Sequence, residues 1–291
     1  MRNKRSFAVI GGDLRQVKLI KSLVVDGYHV SVLGFNNVEI GIEVSNGQTI
    51  EEAVQDVDYI IAPLPCTVDD TTVNAPFCDE PICYKELFKC ISDKQLLIGG
   101  KISEKIMNLA KIYNVFPIDY FDREELIVLN TIPTAEGAIQ IAMEELPITL
   151  HNSRCLVLGF GRIGKVLSKM LAGIGAKVTV EARKHSDIAW VKSYGYQGIY
   201  LYEIGNYIGK FDIIFNTIPK VMLDQQTLSK ISKECLVIDL ASKPGGVDFE
   251  MARNLGVKAI WALSLPGKVA SDTAGEIIKD TILNMIEELG V

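Results

Sequence analysis

Short apolar runs alternate with stretches of helical spacing along the whole chain. In the first half, residues 6–10, 29–33, 58–63 and 95–98 are rich in Val, Ile or Leu and bounded by Gly, Pro or Asp, which predicts strands. Apolar residues recur every three or four positions over 16–25 and 103–113, which predicts helices. The second half repeats the alternation, with strands predicted at 154–158, 177–182, 212–216, 236–240 and 257–260, and helices at 163–172, 224–231 and 248–255. Strands separated by helices imply a parallel sheet covered on both faces, an α/β fold.

Two further helices frame the organisation. From Pro133 on, Ala135, Ala138, Ile139, Ala142, Met143 and Leu146 form one apolar stripe, with Pro133 suited to a first turn. Near the C-terminus, Ala274, Ile277, Ile278, Ile282, Met285, Ile286 and Leu289 form another, with Ser271 as its expected N-cap. The predicted plan has an N-terminal, smaller, flavodoxin-like α/β domain over 1–130. A connecting helix follows over 131–150, then a C-terminal Rossmann NAD(P)-binding domain over 151–271. The last helix, 272–291, is expected to pack back on the first domain and complete it.

A length of 291 residues suits two domains. With 48 % hydrophobic and 23 % charged residues the chain has the balance of a folded globule. A net charge of −6 argues against a nucleic-acid partner, which asks for a basic face. No run of ~18 uncharged apolar residues stands out, so no membrane span is expected. The basic start, Met1-Arg2-Asn3-Lys4-Arg5, precedes an apolar run too short for a signal-peptide core; a cytoplasmic protein is expected. Cys66, Cys78, Cys83, Cys90, Cys155 and Cys235 match no metal-ligand spacing, so reduced thiols and no metal site are expected.

The sharpest motif is Gly159-Phe160-Gly161-Arg162-Ile163-Gly164. It follows a predicted strand and opens a predicted helix, the setting in which such glycines bind a dinucleotide. Gly159 makes the tight turn, Gly161 admits the pyrophosphate, and Gly164 lets the helix approach the strand. The next strand ends Glu181-Ala182-Arg183-Lys184. An acid there suits the ribose hydroxyls of NAD, and two bases suit the 2′-phosphate of NADP. Arg183 and Lys184 favour NADP, with Glu181 turned elsewhere and NAD as the other option. Asn216, Thr217, Ile218 and Pro219 end one later strand, and Asp239, Leu240 and Ala241 end another. In open parallel sheets such carboxyl ends hold the ligand, so these residues are candidates for the nicotinamide half.

Six segments form a set: 10–16 (Ile-Gly-Gly-Asp-Leu-Arg-Gln), 130–137 (Asn-Thr-Ile-Pro-Thr-Ala-Glu-Gly), 158–164 and 216–219. The others are 239–246 (Asp-Leu-Ala-Ser-Lys-Pro-Gly-Gly) and 265–270 (Leu-Pro-Gly-Lys-Val-Ala). Their order and spacing resemble the dipicolinate synthase A subunits, over nearly the whole chain. Ser271 stands where that family commonly has Pro, and Glu181 where it has a small residue. The resemblance implies oxidation of a dihydrodipicolinate, or its hydrated precursor, to dipicolinate in a sporulating cell's mother-cell cytoplasm. It also implies a partner, the flavoprotein-like B subunit of dipicolinate synthase, and an oligomer. A small dicarboxylate substrate asks for cationic or N–H-rich contacts. Arg15, Gln16, Thr134 and Lys243 are the candidates, with Glu136 or Asp13 as proton acceptor.

Two other readings stand beside this one. The first is another dehydrogenase of the 2-hydroxyacid or alanine dehydrogenase plan. The hydroxyacid enzymes use a His beside the nicotinamide, and His29, His151 and His185 fall at no such position. The second is a non-catalytic dinucleotide-binding protein supporting a flavoprotein partner.

Overall fold

The computed structural model describes residues 5–290; Met1-Arg2-Asn3-Lys4 and Val291, the end of the last expected helix, lie outside the described residues. The chain divides into two compact units. Unit 1 holds the residues before Val128 together with those from Ala270 on, and unit 2 is Val128–Val269.

Unit 1 is a six-stranded parallel sheet built from β1 (Ser6–Ile10), β2 (His29–Leu33), β3 (Ser45–Asn46), β4 (Tyr59–Ile61), β5 (Leu96–Gly99) and β6 (Ile118–Asp119). Its order is β3-β2-β1-β4-β5-β6. The strands β2-β1-β4-β5-β6 keep the expected flavodoxin-like order, and the two-residue β3 is added outside β2. The strands expected at 58–63 and 95–98 pair over Tyr59–Ile61 and Leu96–Gly99. Phe7, Val9, Ile61 and Ile98 face one core, whereas Ala8, Ile10, Ile60 and Leu97 face another. That is the period-two alternation of a sheet covered on both sides.

The C-terminal helix Ser271–Leu289 belongs to unit 1 and lies along helix Leu14–Val25. Ala274, Ile277, Ile278, Ile282, Met285 and Ile286 are buried, while Leu289 is half exposed. Gly275 makes the close approach possible: a Cβ there would stand 2.5 Å from the Arg15 carbonyl oxygen. Ser271 is not the cap expected of it. The helix already includes Ser271, and Ala270 precedes it without a side-chain hydrogen bond.

Unit 2 has a second six-stranded parallel sheet: β7 (Arg154–Leu158), β8 (Lys177–Glu181), β9 (Gln197–Ile199), β10 (Ile213–Asn216), β11 (Leu236–Asp239) and β12 (Lys258–Trp261). Its order, β12-β11-β10-β7-β8-β9, is the doubly wound Rossmann order. The order reverses between β7 and β10, which places a ligand crevice at their carboxyl ends.

Helix Thr131–Glu145, expected as a connection, packs within unit 2 against helices Arg162–Ile174 and Leu265–Val269. Ala135, Ala138, Ile139 and Ala142 enter its core, but Met143 turns out to solvent. The stretch Glu124–Glu145 has the length and composition of a membrane-crossing helix, a test that core helices also pass, and 44 % of its 18-residue apolar window is buried in the protein.

Candidate functional site

The glycine turn after β7 shows three separate roles. Gly159 has φ +93°, and a Cβ on it would press on Thr217 Oγ1 at 2.7 Å and Ile218 Cγ1 at 2.9 Å. Gly164 packs against the Gly159 carbonyl so closely that a Cβ would overlap it. Gly161 is the N-cap of helix Arg162–Ile174 and offers no capping side chain. A Cβ on Gly161 would meet nothing within 4 Å. Gly161 therefore puts no side chain over the start of this helix, the geometry that receives a phosphate.

Unit 1 carries a related turn that is closed. Asp13 holds the N-cap place that Gly161 holds in unit 2, and its Oδ1 accepts from the Arg15 N–H at 3.0 Å. Gln16 stands where Gly164 does, fully buried, and its side chain fills the corner beside Gly12. A carboxylate on the helix start and a side chain in the turn repel and exclude a pyrophosphate. The dinucleotide geometry is a property of unit 2.

At the end of β8, Glu181 has no exposed surface, and neither carboxylate oxygen has a hydrogen-bond partner. Burial pushes its carboxyl above the usual range, against the Gly159 N–H and the Arg183 charge. Arg183 and Lys184 follow it, both exposed. These groups fit the adenosine ribose end of a dinucleotide: an acid without donors beside two cations. The Glu181 side chain is packed inside the protein, while Arg183 and Lys184 stand at its surface.

At the carboxyl ends of β10 and β11 the side chains of Asn216 and Asp239 are fully buried. Asn216 Nδ2 donates to Asp239 Oδ1 at 2.7 Å and to the Ile218 carbonyl at 2.9 Å. Asp239 also accepts from the Ala241 N–H at 3.1 Å and the Gly246 N–H at 2.7 Å. This corrects their expected role as direct cofactor contacts: facing each other, they shape the turns around them. Thr217 Oγ1 donates to the Leu158 carbonyl, and Leu240 N–H to the Asn216 carbonyl. Leu240 and Ala241 are buried, whereas Pro219 is exposed and Ile218 half-buried. Trp261 Nε1 donates to the Ala241 carbonyl at 2.9 Å, a support the sequence pattern does not reveal.

The remaining candidates scatter by environment. Phe160 is buried in the unit 2 core, with Lys165 Nζ 5.6 Å from its ring centroid, so its side chain is packing. Ile163 is half-buried against the same core, and Arg162 is exposed on the first turn. Lys243 is exposed on the turn after β11. Thr134 Oγ1 donates to the Asn130 carbonyl at 2.7 Å. Glu136 is exposed and lines a surface groove with Met143, Met170 and Ile174. Met170 and Ile174 belong to the later part of a helix whose first turn is the glycine motif, so Glu136 faces away from that turn. This corrects its expectation as proton acceptor.

In unit 1, Arg15 Nε and Nη2 donate to Asp13 at 2.9 and 2.8 Å, and Nη2 also donates to the Leu64 carbonyl. Asp13 is thus both a helix cap and the partner of Arg15, which corrects its expected role as a free base. The Gln16 amide is buried with neither Nε2 nor Oε1 partnered. All six cysteines are free thiols. The histidines lie elsewhere: His29 on Ser45, His151 on the Ile174 carbonyl and His185 on Tyr200.

Residues 6–121 match the N-terminal domain of the dipicolinate synthase A subunit, and 134–246 match the D-isomer specific 2-hydroxyacid dehydrogenase NAD binding domain. The chain is 33 % identical to the dipicolinate synthase A subunit of Bacillus subtilis (strain 168), over 97 % of this chain and 96 % of that one. The chain belongs to the dipicolinate synthase A-subunit family. Within that family, the crystal structure of the dipicolinate synthase A chain from Bacillus subtilis superposes with a TM-score of 0.90 at 31 % identity, covering 100 % and 98 % of the two chains. The counterpart from Bacillus halodurans superposes with a TM-score of 0.89 at 31 % identity, covering 97 % of each. With its NAD-binding domain the chain is an NAD(P)-dependent oxidoreductase.

Proposed function

We propose that this chain oxidises dihydrodipicolinate, or its hydrated precursor, to dipicolinate. It does so beside a flavoprotein-like B subunit, in the mother-cell cytoplasm of a sporulating cell, as part of an oligomer. The observation that carries the reading is the open helix start at Gly161, set in a chain of this family.

A bound nicotinamide dinucleotide supplies the hydride acceptor. The residues of unit 2 hold it: Gly159, Gly161 and Gly164 shape the pyrophosphate turn, and the N–H groups opening helix Arg162–Ile174 receive the phosphates. The Asn216–Asp239 pair fixes the turns Thr217–Pro219 and Ala241–Gly246 at the nicotinamide half. Three side chains at the end of β8 and just after it decide what stands on the adenosine ribose. Arg183 and Lys184 suit the 2′-phosphate of NADP, and Glu181 the hydroxyls of NAD.

Arg15 is the carboxylate receptor for the substrate. Asp13 holds the Arg15 guanidinium in one orientation through its bidentate contact, so Asp13 is a positioning residue. Loss of a hydride to the dinucleotide and of a ring proton to solvent turns dihydrodipicolinate into the aromatic product, and the hydrated precursor loses one water besides, so orientation of the ring is the main demand on the protein.

The test is absorbance at the reduced-nicotinamide band. The mixture holds the purified chain, NAD or NADP, and dihydrodipicolinate generated in place, with and without the flavoprotein-like partner. Reduction that requires this chain and falls on Arg15→Ala is expected. Dinucleotide binding without reduction in either mixture overturns the catalytic reading.

A further inference from the structure

We propose that a groove at the amino edge of the unit 2 sheet binds a small aromatic anion, a flat ring carrying carboxylate or phosphate. The groove is a cavity of about 710 Å³, within the size range of small-molecule sites. Arg154, Lys177 and Gln197 begin β7, β8 and β9, and all three line it. The ligand crevice expected of this topology lies at the opposite, carboxyl ends of the strands. A strand of five residues spans about 15 Å, so the groove is no part of that crevice.

Its lining joins two kinds of side chain. Tyr194, Tyr196 and Tyr207 supply ring surface, and Arg154, Lys177 and Lys210 supply positive charge; no Asp or Glu among the described residues lines it. In a chain of net charge −6 that local sign is a departure. Tyr194 is 54 % exposed, a large ring left in water. Its centroid lies 6.1 Å from that of half-buried Tyr196, with the two planes at 59°. The two rings make an angled wall that a third ring can meet offset or edge-on, as aromatic pairs prefer. Gly195 between them leaves the space open: a Cβ there would meet nothing within 4 Å.

The three cations differ in what they already hold. Arg154 is committed to Asp212, with Nη2 donating to Oδ1 at 2.6 Å and Nε to Oδ2 at 3.2 Å. Lys177 and Lys210 are exposed, and among the described residues neither forms an ion pair. The Lys210 ammonium stands 5.1 Å from the Tyr207 ring centroid, beside a ring in place of a carboxylate. An anion therefore gains charge-assisted contacts here without displacing an existing partner. A planar dicarboxylate and a nucleoside monophosphate share the required chemistry. The groove depends on neither the substrate nor the dinucleotide assigned above.

The experiment is isothermal titration calorimetry of the full chain in excess oxidised NAD, with two probes, pyridine-2,6-dicarboxylate and AMP. Wild type is compared with Lys177→Ala/Lys210→Ala and with Tyr194→Ala, all at exposed positions and each checked for an unchanged melting temperature. The expected result is binding of at least one probe with a Kd below about 1 mM. The lysine pair should weaken it about tenfold or more, and Tyr194→Ala about fivefold. The tighter probe tells whether carboxylate or phosphate is the anion. Binding of neither probe overturns the proposal. So does binding that both variants leave unchanged, because the probe then sits elsewhere on the chain. Hydride transfer is read separately, by nicotinamide absorbance, and stands or falls apart from these outcomes.

Discussion

Asn216 Nδ2 donates to Asp239 Oδ1 over 2.7 Å, joining the carboxyl ends of two adjacent strands inside unit 2. The carboxylate is fully buried and takes two more N–H donors, from Ala241 and Gly246. A buried charge is tolerated when every oxygen is paired. Removing one donor leaves that charge short. Asn216→Ala is expected to cost about 1.5–3 kcal/mol, the range for hydrogen bonds to charged groups. It should also loosen the turn at Ile218, which the same amide holds through both its oxygen and its nitrogen. Denaturant unfolding measures this; a loss below about 0.5 kcal/mol would show that the pair is not what shapes the turns.

The glycine turn yields a contrast between two alanines. Gly164→Ala forces a Cβ into the Gly159 carbonyl, so the helix must move off β7. Overpacking of this kind costs about 1–3 kcal/mol, and stability and dinucleotide affinity should fall together. Gly161→Ala meets no protein atom within 4 Å and has an ordinary backbone, φ −80°. Its methyl group enters only the space reserved for the pyrophosphate. The melting temperature should hold while dinucleotide binding weakens about tenfold or more. Equal stability losses in both variants would refute the division of roles.

Much of this organisation is legible in the sequence. Glycine spacing, strand-ending polar residues and the apolar face of the C-terminal helix are local patterns. The short strands Ser45–Asn46, Ile118–Asp119 and Gln197–Ile199 are not legible. They are too brief to show alternation and exist through pairing with a neighbour. The Asn216–Asp239 and Asp13–Arg15 contacts are hidden for a different reason. A polar residue at a strand end reads as a ligand contact until its partner is known. Glu136 fails as a candidate because periodicity identifies the buried face of its helix but not what the other face meets.

Arg15 and Asp13 can be separated by what each loses. Arg15→Ala removes the proposed carboxylate receptor, and a charge-assisted contact is worth about 1.5–3 kcal/mol. The KM for the dicarboxylate should rise roughly tenfold to a hundredfold, with dinucleotide affinity unchanged. Asp13→Asn keeps the cap acceptor but weakens the bidentate hold on the guanidinium, so a smaller rise in KM is expected. Asp13→Glu keeps the charge but reaches differently and should not restore the hold fully. Parallel loss of dinucleotide binding in Arg15→Ala would make Arg15 structural.

Glu181 makes a prediction about stability that needs no ligand. Burial raises its carboxyl pKa in the folded chain above the unfolded value. Well below the unfolded pKa both states hold the proton, and the ionised form imposes no penalty on folding. As the pH rises through the folded-state pKa, only the unfolded chain accommodates the charge in water, so stability falls. Glu181→Gln carries no charge at any pH. It should be more stable than the wild type near pH 7, because its buried side chain carries no charge to desolvate. The advantage should fade toward about pH 4, where the unfolded carboxyl is protonated. Denaturant unfolding of both proteins across this range gives the difference. A gap that does not change with pH would mean that the Glu181 carboxyl has the same pKa in the folded and unfolded chain, and its burial would then carry no cost.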